Sequence, residues 1–462
     1  LKSYAETFSL SFYVLPGNHD GYALRGRHQT KQFLTPDGDA VVITSDPNIK
    51  PSNVVALCSE TMYCAGYPDA LEPLVEHGLT RQADYLHWET PFGTSDTFED
   101  RQYRLASAVG TNEALLIDAS YLVEPEDGLW LLMIDANVYQ PSDRATGIDL
   151  ESDFIDSTGA GWNAVVKQRP YLISWIADVH RRAGALGKTL LCFSHYPVVD
   201  VFADNLASEQ ALFGQTNVAN RTPQDGVATA LMQAGMTQHF SGHIHVNGST
   251  RRTVGNTTLT NVAVPSLVAF PPAFRIVHGS TNETNIETIS LGNLPIDRRL
   301  MRLYHRECER KGEPNHSAFS AKSYGDFLYA HQEALVTHRF FPREWPRDMV
   351  EMFSGSTLGR LLTQLDLPSS VLVKIAQSAG VDPESAASLS LLHFVTDWYA
   401  LRQAQELALP FIRAENLSIY KALVVHQKEF SGSSDPKENA SAASFIKTFL
   451  SVLKVSLERA RA

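Results

Sequence analysis

Leu129-Trp130-Leu131-Leu132-Met133-Ile134-Asp135 is a continuous apolar run of strand length that closes on a carboxylate. Apolar side chains on both alternating faces belong to a strand covered on both sides, as in a sheet with helices packed against it. Downstream, Pro170 suits a first helical turn, Leu172, Ile173, Ile176 and Val179 fall on one face, and Gly184 and Gly187 close the helix. Thr189-Leu190-Leu191-Cys192-Phe193-Ser194-His195 repeats the buried-strand pattern. A helix is predicted over about 226–234 and a strand over 237–241, with strand-like runs at 258–263, 266–270, 274–277 and 287–291. Strand and helix alternate and then strands dominate, so the pattern predicts an α/β or layered α+β domain over 1–292.

Upstream, Ser11-Phe12-Tyr13-Val14-Leu15 reads as a short strand ended by Pro16-Gly17. The stretch 21–128 is irregular, with many Asp, Thr, Pro and Gly residues, and is long for one connection. It is expected to be a cap-like insert. Its Tyr85, Trp88, Tyr103 and Arg104 have two readings: contacts to a base or phosphate, or the cap's own small core. Over 293–462 the pattern turns helical. Ser323-x-x-Asp326 is a capping box, Asp382-Pro383-Glu384 opens a helix running through Leu389, Leu392, Phe394 and Trp398, and 431–439 is a polar linker before a last helix from Ser444 to about Arg459.

The chain has 462 residues, 44% hydrophobic and 19% charged, with a formal net charge of −12. That composition excludes fibrous and disordered classes. The acidic balance argues against binding a nucleic-acid backbone. It leaves a phosphate substrate open, because bound cations invert the local field. Four cysteines are too few for a disulfide scaffold; Cys58 and Cys64 could bridge, with isolated thiols the favoured reading. No apolar run reaches the ~18–20 residues of a membrane span. The sequons at Asn220, Asn256, Asn282 and Asn416 read as chance occurrences, and compartment and oligomeric state stay open.

Three segments place polar side chains just after apolar runs: Gly17-Asn18-His19-Asp20, Ser194-His195-Tyr196-Pro197 and Gly242-His243-Ile244-His245. The carboxyl ends of strands in an open α/β sheet converge on one crevice, so these segments can meet there. Neutral imidazole, amide oxygen and carboxylate together suit Zn, Mn, Fe or Ni rather than Ca or Mg alone. Singly, each segment has a plainer reading, such as a structural histidine at a strand end or a turn that tolerates left-handed backbone. Their conjunction favours a site.

Together the three segments resemble the C-terminal half of the signature of calcineurin-like metallophosphoesterases. The resemblance covers roughly 1–292 apart from the insert. It implies a four-layer α/β/β/α sandwich with a site for two divalent transition-metal ions (Mn, Fe, Zn or Ni) at its edge. Asn18, His195 and His243 would bind one ion and His245 the other, with His19 the imidazole acid beside the leaving group and Asp20 its supporting partner. The implied activity is hydrolysis of a small phosphate mono- or diester by hydroxide bridging the two ions.

The family's first motifs, Asp-x-His and Gly-Asp, do not precede Gly17. Asp178-Val179-His180 has the right spelling but lies in the amphipathic helix, with Asp178 placed to pair with Arg182; Gly38-Asp39 and Gly325-Asp326 fall in a loop and at a helix start. The expectation is therefore that two strands and half of the ligands lie N-terminal to this sequence. The competing expectation is a catalytically incomplete scaffold that binds partners through its helical region.

Overall fold

A computed structural model describes residues 2–461 apart from 145–146, 148–149, 156–160, 203–204, 281–282, 314–315 and 431–438. Most of the expected linker and the sequon at Asn282 thus lie outside the described residues. Along the chain run β1 (Thr30–Leu34), β2 (Ala40–Thr44), β3 (Val55–Cys58), β4 (His87–Glu89), β5 (Gln102–Ala106), β6 (Glu113–Ile117) and β7 (Tyr121–Glu126). They are followed by β8 (Leu129–Ile134), β9 (Thr189–Ser194), β10 (Gln238–Ser241), β11 (Gly248–Val254), β12 (Thr257–Ala263), β13 (Ala273–Ser280) and β14 (Glu283–Ser290).

The molecule is mixed α/β. Seven strands form the main sheet in the order β11-β12-β10-β9-β8-β7-β4. Its middle is parallel, β8 with β9, β9 with β10 and β10 with β12, and both flanks are antiparallel. The apolar run at 129–134 is β8, near the centre, with Leu132 and Ile134 fully buried. The crossover from β8 to β9 ends in helix Pro170–Leu186, which buries Leu172, Ile176 and Val179 and stops at Gly187 in left-handed backbone. Helix Asp225–Gln233 precedes β10. The parallel order therefore brings the chain leaving β8, β9 and β10 to one edge of the sheet.

Several local expectations change. Residues 11–15 form no strand and belong to no ladder. An apolar β-forming run becomes a strand only beside an open strand edge, and this one is tied instead by Val14 N–H donating to the His77 carbonyl (2.9 Å) and by the Tyr121 hydroxyl donating to Val14 O (2.8 Å). The stretch 21–128 is not one separate insert, because β4 and β7 pair within the main sheet, Trp88 opposite Val123. What stands apart is the sheet β1-β2-β3 and the hairpin β5-β6. The run at 266–270 forms bends, and β11, exposed and polar along much of its length, is an edge strand that alternation did not reveal.

Beyond residue 292 the described chain is helical. The Ser323 hydroxyl accepts from Asp326 N–H (3.2 Å) and the Asp326 carboxylate accepts from Ser323 N–H (3.1 Å), closing the expected capping box. The helix expected to run from Asp382 through Trp398 is two: Pro383–Ser388, capped by Asp382, and Leu391–Ala404, capped by Ser390. A second cap so close restarts the chain in a new direction. The last helix, Asn439–Arg459, begins before Ser444. Its Phe449 is fully buried among the rings of Trp345, Phe394 and Trp398. No described helix is long and apolar enough to cross a membrane, and all four cysteines are free thiols.

Candidate metal centre

Each of the three segments is shaped by a local constraint. In the first, Gly17 N–H donates to the Asp20 carboxylate (2.6 Å) and Asp20 N–H donates to Gly17 O (3.3 Å), closing a tight turn. A Cβ on Gly17 would stand 2.8 Å from Cε1 and Nδ1 of His195, so only glycine lets this turn lie over that ring. In the third segment, Gly242 N–H donates to the His195 carbonyl (3.0 Å), stapling the second segment to the third. His243 and His245 then adopt φ of 65° and 58°, left-handed backbone that is strained for a residue with a Cβ.

Such strain persists only where the surroundings hold it. Here the hold comes from the helical region. Asn247, fully buried, donates its N–H to Gln403 O (2.7 Å) and its Nδ2 to Ala404 O (3.2 Å) and to Glu406 Oε1 (3.0 Å), while its Oδ1 accepts from Arg275 (2.9 Å). Next to it, a Cβ on Gly248 would overlap the side-chain amide of Gln405. The end of helix Leu391–Ala404 thus grips the chain just past His245.

The result is a small triangle. Asn18 Oδ1 lies 2.8 Å from His195 Nε2 and 3.1 Å from His243 Nδ1, and those two nitrogens are 3.0 Å apart. Metal–imidazole bonds of ~2.1 Å at right angles set adjacent donors ~3.0 Å apart, so this set matches one face of an octahedral site. A neutral amide oxygen with two imidazoles suits a borderline transition metal. Among the described residues no group of three or more His, Cys, Asp or Glu side chains gathers around one point. The triangle reaches three donors by way of the Asn18 amide.

A cavity of about 500 Å³ opens from it, lined at this end by Asn18, His19, His195, His243 and His245. Asp20 is turned into its own loop and does not line the cavity, so its place is to shape the turn rather than to face a ligand. Trp88 and Tyr103 are buried, Trp88 donating to Gly78 O (2.9 Å) and Tyr103 lying under Arg169. Tyr85 packs on Tyr13, and Arg104 pairs with Glu113 at the surface (2.7 Å). None of these four lines the cavity, and they form no separate cap core either, since Trp88 lies in the main sheet and Arg104 is at the surface. Asp178 pairs with Arg182 (2.7 Å), as its place in the helix dictates.

Beneath the triangle lies a buried polar layer that no motif announced. Asn137, past the end of β8, donates Nδ2 to Pro16 O (3.1 Å) and accepts from the Tyr196 hydroxyl (3.1 Å), joining the first two segments. Arg169 donates to Asp135 O (2.6 Å) and pairs with Asp118. Burial pushes the Asp135 carboxyl up to about 6, against the opposing pull of Arg169. Burial likewise drives His239 down to about 4, so its ring is neutral. Its Nδ1 faces Asn261 Oδ1 (3.0 Å), a pure acceptor, and therefore carries the proton; Nε2 lies 2.8 Å from the Ser194 hydroxyl, which also donates to Tyr196 O (2.8 Å).

No family model matches the chain, and no curated protein matches it.

Proposed function

We propose that the protein is a metal-dependent phosphoester hydrolase of the calcineurin-like metallophosphoesterase type. The observation that carries this reading is the triangle of Asn18, His195 and His243, donors from three distant segments within 3.1 Å of one another. The fold reading that goes with it is the four-layer α/β/β/α sandwich, with the main sheet as one of its two inner layers. Asn18, His195 and His243 would hold one divalent ion, and His245 belongs to the set for a second.

Ions of this kind, when bound, polarise phosphoryl oxygens and supply hydroxide at neutral pH. The chain's own residues do the rest. The Asp20-closed turn holds His19 over the cavity, where its imidazole can deliver a proton to the departing alkoxide as the ester P–O bond breaks. The rigid layer under Asn137 fixes the spacing of the first two segments.

The test is a panel of phosphate mono- and diesters with Mn²⁺-supplemented protein. His19→Ala is expected to lower turnover ~10²–10⁴-fold while leaving the bound ion in place. Loss of ion and turnover together would make His19 a ligand. A second reading, a catalytically incomplete scaffold that binds partners through the helical region, is favoured by one observation: no carboxylate joins the triangle among the described residues. Uptake of an ion with no hydrolysis of any ester in the panel would select it.

A further inference from the structure

We infer that the ester taken by this site carries an apolar alcohol portion, seated against the helical region; this rests on the hydrolase reading above. The cavity is two-sided. Beyond the histidines the lining carries Phe213, Phe270, Leu328, Leu335, Phe340 and Trp398, drawn from four helical segments and one loop, with His331, Gln332, Arg339 and Glu344 among them. Three of these, Phe270, Leu328 and Trp398, are at least 95% buried. They belong to the core of the helical region and not to a loose surface.

The wall is preformed. Trp398 packs against Phe449 with ring centres 4.9 Å apart, Phe213 against Trp345 at 5.1 Å, and Phe270 against Phe411 at 5.2 Å. A close-packed aromatic layer cannot fold inward to fill the space in front of it. The lining's buried cation, Arg402, is tied to Glu209 by two hydrogen bonds (2.8 and 2.5 Å) and lies 3.6 Å from the centre of the Phe202 ring. It is therefore held away from the role of binding a charged alcohol. A phosphate group at the histidines directs its ester substituent toward this wall, and displacing water from an apolar surface is the gain on offer there.

The experiment uses the full chain loaded with Mn²⁺ and a series of alkylphosphonates from methyl to octyl, followed by isothermal titration calorimetry. These compounds are not hydrolysed, so binding is read whether or not the protein turns over. Each methylene buried against the wall is expected to tighten binding up to ~4-fold, giving at least a tenfold gain from methyl to octyl before the cavity is full. Leu335→Gln, half-buried, and Val268→Gln, a mostly exposed lining residue whose change spares the core, are each expected to shrink that gain. Uniform affinity along the series, or binding that weakens with chain length, overturns the inference while Mn²⁺ uptake keeps the hydrolase reading alive. Failure to take up Mn²⁺ overturns both.

Discussion

The two walls of the cavity are held by opposite physics. On the histidine side, three segments far apart in the chain are fixed by hydrogen bonds: Gly17 to Asp20, Gly242 to His195, Asn137 to Pro16, and Asn247 to the end of a helix. Two residues there sit in left-handed backbone. On the opposite side, helices are fixed by rings packed on rings around Phe449 and Trp398. Directional bonds set atoms to fractions of an ångström, as a metal site demands, and apolar packing supplies the bulk stability that strained loops lack. The helical region also bears on the histidine side. Through residues 403–406 it holds the chain that follows His245.

Damage to each side should therefore read out differently. The largest loss of stability is expected from the apolar side: Phe449→Ala should destabilise the fold by ~3–5 kcal/mol, measured by urea unfolding. A loss below ~1 kcal/mol would mean that the ring cluster is not what holds the helices. On the polar side, the folded protein refuses His239 a proton that the unfolded chain accepts near pH 6.5, so stability is lost as pH falls from about 6.5 toward 4. The full difference corresponds to ~3 kcal/mol. His239→Gln should flatten the slope of unfolding free energy against pH over that interval, and an unchanged slope would assign it to other groups.

Asn247→Ala sharpens the link between the two walls. It is expected to weaken metal binding roughly tenfold, about 1.4 kcal/mol, by releasing the turn that carries His243 and His245. Calorimetric Mn²⁺ titration at a temperature where the variant remains folded separates this positioning effect from simple instability. The smallest change is Ser323→Ala, which removes one arm of a helix cap and should lower stability by ~1 kcal/mol with no effect on metal affinity. A changed affinity there would blur the division between the two sides.

Legibility in the sequence followed the same division. The strands β8, β9 and β10 and helix Pro170–Leu186 announce themselves because continuous apolar runs and 3.6-residue spacing report burial directly. The three polar segments stand out by their position after such runs. Residues 11–15 looked like a strand because local composition says nothing about whether a partner edge lies alongside. β4 hides in an irregular stretch, since a three-residue edge strand carries almost no pattern, and β7, inside the sheet, shows only the short apolar run Tyr121-Leu122-Val123 before Glu124 and Pro125 interrupt it. Asn137 and Asn247 gave no signal, because a buried amide that joins two loops acts through distance in space and not through spacing in sequence. Of the apolar lining, Trp398 reads only as part of a helix and Phe270 as the end of a strand-like run, because neither pattern tells which side chain faces a cavity.

One titration bears on everything above: Mn²⁺ or Zn²⁺ added to the metal-free protein, alongside His195→Ala and His243→Ala, with bound ion counted after dialysis. The wild-type chain should retain at least one ion, and each variant should lose it while keeping its cooperative unfolding transition. Variants that hold metal as tightly as the wild type, or a wild-type chain that holds none, would show that the triangle at Asn18 is a hydrogen-bonded cluster and not a metal centre.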